Sequence, residues 1–211
     1  MDSHHFFILL LTWVPLVLSL TVHEYAHAAT ANYLGDDTAR LLGRMTLDPL
    51  AHIDPLGTFV LPLLGVPFGW AKPVPVNPIR FNQSVSTRYG LMLVTAAGPV
   101  SNLLLAGVSA AVLYSLGGSM HSMVVSSSPL LLLCVLFVQI NIALAVFNLI
   151  PVPPLDGSSI ADAFMPEALR SFWSTIHEHA NIVLLLIILA PSLFGFSPIG
   201  ALLQAILAKL P

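Results

Sequence analysis

Runs of apolar residues alternate with short polar links along the chain, and the runs are too long for the core of a soluble domain. Crossing a hydrocarbon layer of about 30 Å takes roughly 20 helical residues. Residues 6–34, 89–116, 129–152 and 176–196 meet that length, and 199–210 forms a shorter final run. Residues 57–70 are also apolar, but as a helix they would reach only about halfway across. The stretch that follows, G-W-A-K-P-V-P-V-N-P at 69–78, has prolines that break helices and valines that favour extended backbone, so it is expected at a strand edge or hairpin. The pattern predicts an all-α polytopic membrane protein with about five to six transmembrane segments and a short re-entrant or extended, β-like element after the first span. The first run has no basic n-region and no small-residue cleavage site, and is expected to be a retained helix rather than a removed signal peptide.

Composition agrees with this picture. Of 211 residues 56% are hydrophobic and only 8% charged, with a mean hydropathy of +0.89, against roughly 25% charged in an ordinary soluble domain. The net charge of -3 and the lack of a Lys/Arg cluster exclude a nucleic-acid surface. The single cysteine, Cys134, excludes a disulfide framework and a C-x-x-C site and is read as a small lipid-facing or packing residue. No repeat or linker divides the chain, so residues 1–211 are expected to form one domain, with a core at about 6–157 and C-terminal helices at about 176–210.

The few basic residues set an orientation. Arg40 and Arg44 follow the first run, Lys72, Arg80 and Arg88 precede the second, Arg170 follows the third, and residues 117–128 have none. Loops rich in Lys and Arg collect on the cytoplasmic side, which leaves the N-terminus and 117–128 outside. The segment between Arg44 and Lys72 must then enter and leave by one face, as a re-entrant element would.

The chemistry sits in H-E-Y-A-H, residues 23–27. His23 and His27 are one turn apart on a helix and present imidazoles to one cation, while Glu24, about 100° away, can reach a water beside it. Packed polar groups in a bundle are the alternative, but ionisable residues in lipid are costly and this chain has only three glutamates. A catalytic zinc takes three protein ligands and a water. The candidate third ligand is Asp156, in N-L-I-P-V-P-P-L-D-G at 148–157, where three prolines end the third run and free the backbone to turn back. Both motifs fall toward the cytoplasmic ends of their runs. A loop or cap aspartate is the competing role for Asp156. Asn148 suits either a substrate or oxyanion contact or an interhelical hydrogen bond. Asn102, Gln139 and Asn141 read as interhelical hydrogen-bonding residues. His177, Glu178 and His179 do not share a helix face and read as interfacial. His4, His5 and His121 carry no assignment, and Asp48, His52 and Asp54 read as loop caps before a second metal site.

These motifs, H-E-Y-A-H, A-G-P-V-S-N at 97–102 and N-L-I-P-V-P-P-L-D-G in that order, resemble the site-2 protease family of intramembrane zinc metalloproteases. The resemblance covers residues 12–157, and G-W-A-K-P-V-P-V-N-P is similar to its small members lacking PDZ and CBS domains. It implies one Zn2+ per chain on His23, His27 and Asp156, Glu24 as general base and acid, and Asn148 in substrate or oxyanion contact. It further implies a transmembrane protein or membrane-peptide substrate, unwound before cleavage, and a multi-pass protein of the cell (inner) membrane with its site toward the cytoplasm. Asp48 departs from the asparagine expected in its loop. A membrane metal-ion transporter and an inactive scaffold are the alternatives. A transporter would need ligands from face to face, whereas residues 6–20 are almost purely apolar, and a scaffold has no use for Glu24.

Overall fold

A computed structural model describes residues 3–60, 69–120, 128–194 and 198–210. Three long helices form the body: α1 (Ser3–Tyr33), then, beyond the one-turn α2 (Thr38–Leu41), α3 (Thr87–Ser115) and α4 (Pro129–Asn148). Short helix α5 (Asp156–Phe164) follows the proline turn, and α6 (Arg170–Glu178), α7 (Ala180–Phe194) and α8 (Pro198–Leu207) complete the chain. Among the described residues there is no strand, and α3 and α4 are the two helices long and apolar enough to cross a membrane.

Helix α3 is the centre of the fold and packs on α1, α4 and α5. At one end Ala106 and Leu113 of α3 meet Cys134, Val135, Val138 and Ile142 of α4, and Leu203, Ile206 and Leu207 of α8 cover that cluster. Cys134 is therefore a packing residue. At the other end Ala31 and Leu34 meet Phe81 and Val94. Between the two apolar clusters lies a polar layer. Asn102 Nδ2 donates to Asn141 Oδ1 at 2.8 Å, and Asn141 Nδ2 donates to Ser19 Oγ at 2.8 Å. Three helices thus satisfy one another's buried amides, as an apolar surrounding demands. The interhelical role expected of Asn102 and Asn141 is met; Gln139 is half-buried.

Two expectations change. The run 176–196 is not one helix: His179 ends α6 and α7 begins at Ala180. The reason lies in composition, because α6 (R-S-F-W-S-T-I-H-E) is amphipathic and mostly polar whereas α7 is apolar but for Asn181 and Ser192. The segment expected to be β-like also forms no ladder where it is described. Pro73, Pro75 and Pro78 remove three donors, and the 69–77 stretch is instead pinned piecemeal. Lys72 N–H donates to the His52 carbonyl at 2.9 Å, Arg44 Nη2 to the Lys72 carbonyl at 2.7 Å, and Asn77 N–H to buried Asp36 at 2.6 Å. The preceding leg ends in a π-helical turn, Pro55–Val60, fixed to α1 by Trp13 Nε1 donating to the Thr58 carbonyl at 2.8 Å. Thr58 Oγ1 in turn donates to the Trp70 carbonyl at 2.8 Å, so the two legs lie side by side. The tip of the expected re-entrant element, residues 61–68, lies outside the described residues, as do His121 and most of the 117–128 link.

Candidate metal and catalytic site

Helix α1 carries His23 and His27 one turn apart, both buried. Each ring is held by α3. His23 Nδ1 donates to Asn102 Oδ1 at 2.6 Å, and His27 Nδ1 donates to the Val94 carbonyl at 2.7 Å. A carbonyl can only accept, and the Asn102 amide nitrogen is engaged with Asn141, so both Nδ1 atoms carry the proton. Both Nε2 atoms then face inward, 3.0 Å apart, and carry the lone pairs when the rings are neutral.

Residues 94, 98 and 102 recur at intervals of four and face α1 together. Gly98, the middle one, is where the rings pass: a Cβ there would lie 2.5 Å from His23 Cε1 and from His27 Cε1 and Nε2. Pro99 lies inside the helix and offers no N–H to the turn before it, next in that turn to the Val94 carbonyl that His27 uses. The A-G-P-V-S-N motif thus has a local physical meaning: clearance at Gly98, a missing N–H donor at Pro99 and an acceptor at Asn102.

Asp156 arrives from the far side. Pro151, Pro153 and Pro154 stop α4, Leu155 is extended (φ -72, ψ 154), and α5 starts at Asp156. Only glycine fits next. A Cβ on Gly157 would stand 2.4 Å from the Leu149 and Ile150 carbonyls, so the α5 N-terminus packs directly on the end of α4. That contact sets the Asp156 carboxylate 3.2 Å from His23 Nε2 and 3.4 Å from His27 Nε2. The N-terminus of α5 favours a negative charge at this position.

In the neutral rings two nitrogen lone pairs and a carboxylate turn on one point, an arrangement that a cation between them relieves. Two ligands on one tetrahedral zinc, each at about 2.0 Å, stand about 3.3 Å apart, close to the three spacings observed. Asp156 Oδ2 is also buried without a hydrogen-bond partner. The donor set therefore fits a zinc ion. His23, His27 and Asp156 form the one group of three or more such side chains among the described residues, with ligand atoms within 4.8 Å of one another.

Glu24 is buried beside them and its Oε2 accepts the Val74 N–H at 2.8 Å, tying the 69–77 stretch to the site. His23, Glu24, His27 and Asp156 line a cavity of about 730 Å³ whose other walls are mainly apolar, among them Leu20, Val74, Val76, Val94, Leu144, Phe147 and Leu184. Asn148 also lines it, but its Nδ2 donates to the Leu144 carbonyl of its own helix at 3.0 Å, not across the bundle.

The loop candidates behave as caps. Asp48 accepts the Leu50 N–H at 3.0 Å, Asp54 accepts those of Leu56 and Gly57 at 3.0 and 2.8 Å, and buried His52 bonds the Thr46 carbonyl at 2.9 Å. His177 and His179 are exposed on α6 and at its end. The sequence reading missed the Val94 carbonyl, Gly98 and the engagement of Asn102 with a ligand. The four-residue spacing of Gly98 and Asn102, matching that of the two histidines, was the available signal.

Comparison with known proteins agrees with the geometry. Residues 119–191 match the description "Peptidase family M50". The Bacillus subtilis protein named "Putative zinc metalloprotease YwhC" is 38% identical over 179 residues, 84% of this chain and 80% of that protein. The Mycobacterium tuberculosis protein named "Putative zinc metalloprotease Rip2" is 31% identical over 181 residues, 85% of this chain and 67% of that protein. No solved structure gives a significant match. The four-residue stripe on α3, the imidazoles it fixes and the carboxylate brought by the proline turn accordingly sit in a zinc metalloprotease: the chain belongs to peptidase family M50, the site-2 protease family.

Proposed function

We propose that this membrane protein hydrolyses peptide bonds within or near the transmembrane segments of other membrane proteins, with one zinc held by His23, His27 and Asp156. The observation that carries this reading is the convergence of those three side chains, with Glu24 beside them, on an apolar cavity among helices long enough to cross a membrane. A site for soluble peptides would not need walls of leucine, valine and phenylalanine. The chain acts as a single multi-pass domain of five to six spans in the cell membrane. Arg40, Arg44, Lys72, Arg80 and Arg88 gather near the ends of α1 and α3 closest to the site, which supports placing the site toward the cytoplasm.

Bound zinc supplies Lewis acidity toward water and the scissile carbonyl. The residues supply the rest. Asn102 and the Val94 carbonyl hold both imidazoles with their lone pairs inward. Glu24, which lines the cavity, takes the proton of the attacking water and returns it to the leaving amine, and the Val74 N–H keeps one of its oxygens fixed. A helical substrate hides its carbonyls in i to i-4 bonds and must unwind first. Val74 and Val76 line the cavity and receive the unwound segment, with Asn148 contacting its backbone.

The test compares wild type with Glu24→Gln, measuring bound zinc and cleavage of a transmembrane substrate. Retained zinc with cleavage reduced by about 10² or more is expected; unchanged cleavage would refute the assignment.

A further inference from the structure

Arg88 stands in the first turn of α3, and its guanidinium bonds a segment 74 residues away. Nε donates to the Asp162 carbonyl at 2.6 Å; Nη2 donates to the same carbonyl and to that of Met165, the latter at 2.8 Å. These carbonyls lie in the last turn of α5 and at its C-cap, where a cation is favoured; the Asp162 carbonyl also accepts the Met165 N–H at 3.2 Å. Helix α5 has nine residues, a rod of about 13 Å. Asp156 is its first residue. A tilt at the C-terminus of so short a rod moves the carboxylate at the other end.

We infer that Arg88 is a positioning residue for Asp156: by locking the C-terminus of α5 to α3, it fixes where the third ligand stands relative to the two imidazoles. This rests on the reading of Asp156 as a zinc ligand. Helix α3 contributes no ligand itself, yet it sets all three, His27 through the Val94 carbonyl, His23 through Asn102 and Asp156 through Arg88. Arginine suits this task because its planar fork holds two carbonyls in one geometry, which an ammonium does not.

The experiment uses the full chain in detergent, with zinc affinity measured by chelator competition and the ligand sphere read from the visible bands of the cobalt-substituted protein. Arg88→Ala is expected to weaken zinc binding by about 10- to 100-fold and to alter the cobalt bands, and added guanidinium ion is expected to restore both toward wild type. Lost packing alone would not respond to guanidinium. Arg88→Met keeps the aliphatic stem and removes every donor, so it answers the same question should the alanine variant fail to fold. Wild-type zinc affinity and cobalt bands in these variants, with Asp156→Asn losing zinc, would overturn the inference while leaving the ligand set intact. Wild-type affinity in Asp156→Asn would instead overturn the ligand reading and the inference with it.

Discussion

Two regions of this molecule hold histidine and aspartate close together, and they differ in where the partners come from. In the loop at 48–54, Asp48 and Asp54 accept amides two or three residues ahead, and His52 bonds a carbonyl six residues back. These side-chain interactions are local, and each carboxylate accepts amides of its own loop. At the candidate metal site the partners come from 67 residues away, His27 with Val94, to 133 residues away, His23 with Asp156. There the local donors are withheld: both imidazoles spend their N–H groups on α3, and Asp156 keeps a buried oxygen without a hydrogen bond. The loop carboxylates turn Oδ1 to neighbouring amides, whereas the imidazoles of the site are held at Nδ1 by α3 with Nε2 turned to Asp156.

Removing a ligand should give the largest separation between the two regions. His27→Ala or Asp156→Asn is expected to abolish stoichiometric zinc and proteolysis, whereas Asp48→Ala leaves zinc content at the wild-type level; metal analysis of the purified variants checks both. Gly98→Ala comes next. Its Cβ would meet both rings at 2.5 Å, so the helices must separate at a cost of about 1–3 kcal/mol and zinc affinity falls with them, read by thermal unfolding and chelator competition. The smallest effect is the loss of the cap in Asp48→Ala, about 0.5–2 kcal/mol of stability, visible in the unfolding midpoint with proteolysis unchanged.

Much of this was legible in the sequence because its signals are local or strongly physical. The two histidines one turn apart, the glutamate beside them and the aspartate behind three prolines are each readable within about ten residues. Run lengths located α1, α3 and α4 to within a few residues. The break at His179 was not legible from hydropathy alone, since Ile176 and the apolar α7 lie close enough to merge into one run. The Val94 carbonyl was not legible at all, because a backbone acceptor leaves no mark on side-chain identity. Asn102 was visible as a polar residue in an apolar helix, but which of several partners it would choose depends on how α1 and α3 pack. Arg88 read as a topology marker, and its attachment to α5 needed the three-dimensional arrangement.

The central claim is that His23, His27 and Asp156 bind one zinc together. Zinc K-edge X-ray absorption on the purified chain tests it most directly. The account predicts one zinc per chain in a four-coordinate shell of nitrogen and oxygen at about 2.0–2.1 Å, with scattering from two imidazole rings, and a loss of that zinc signal in His27→Ala and Asp156→Asn. A shell without imidazole scattering, or a spectrum unchanged in both His27→Ala and Asp156→Asn, would contradict it.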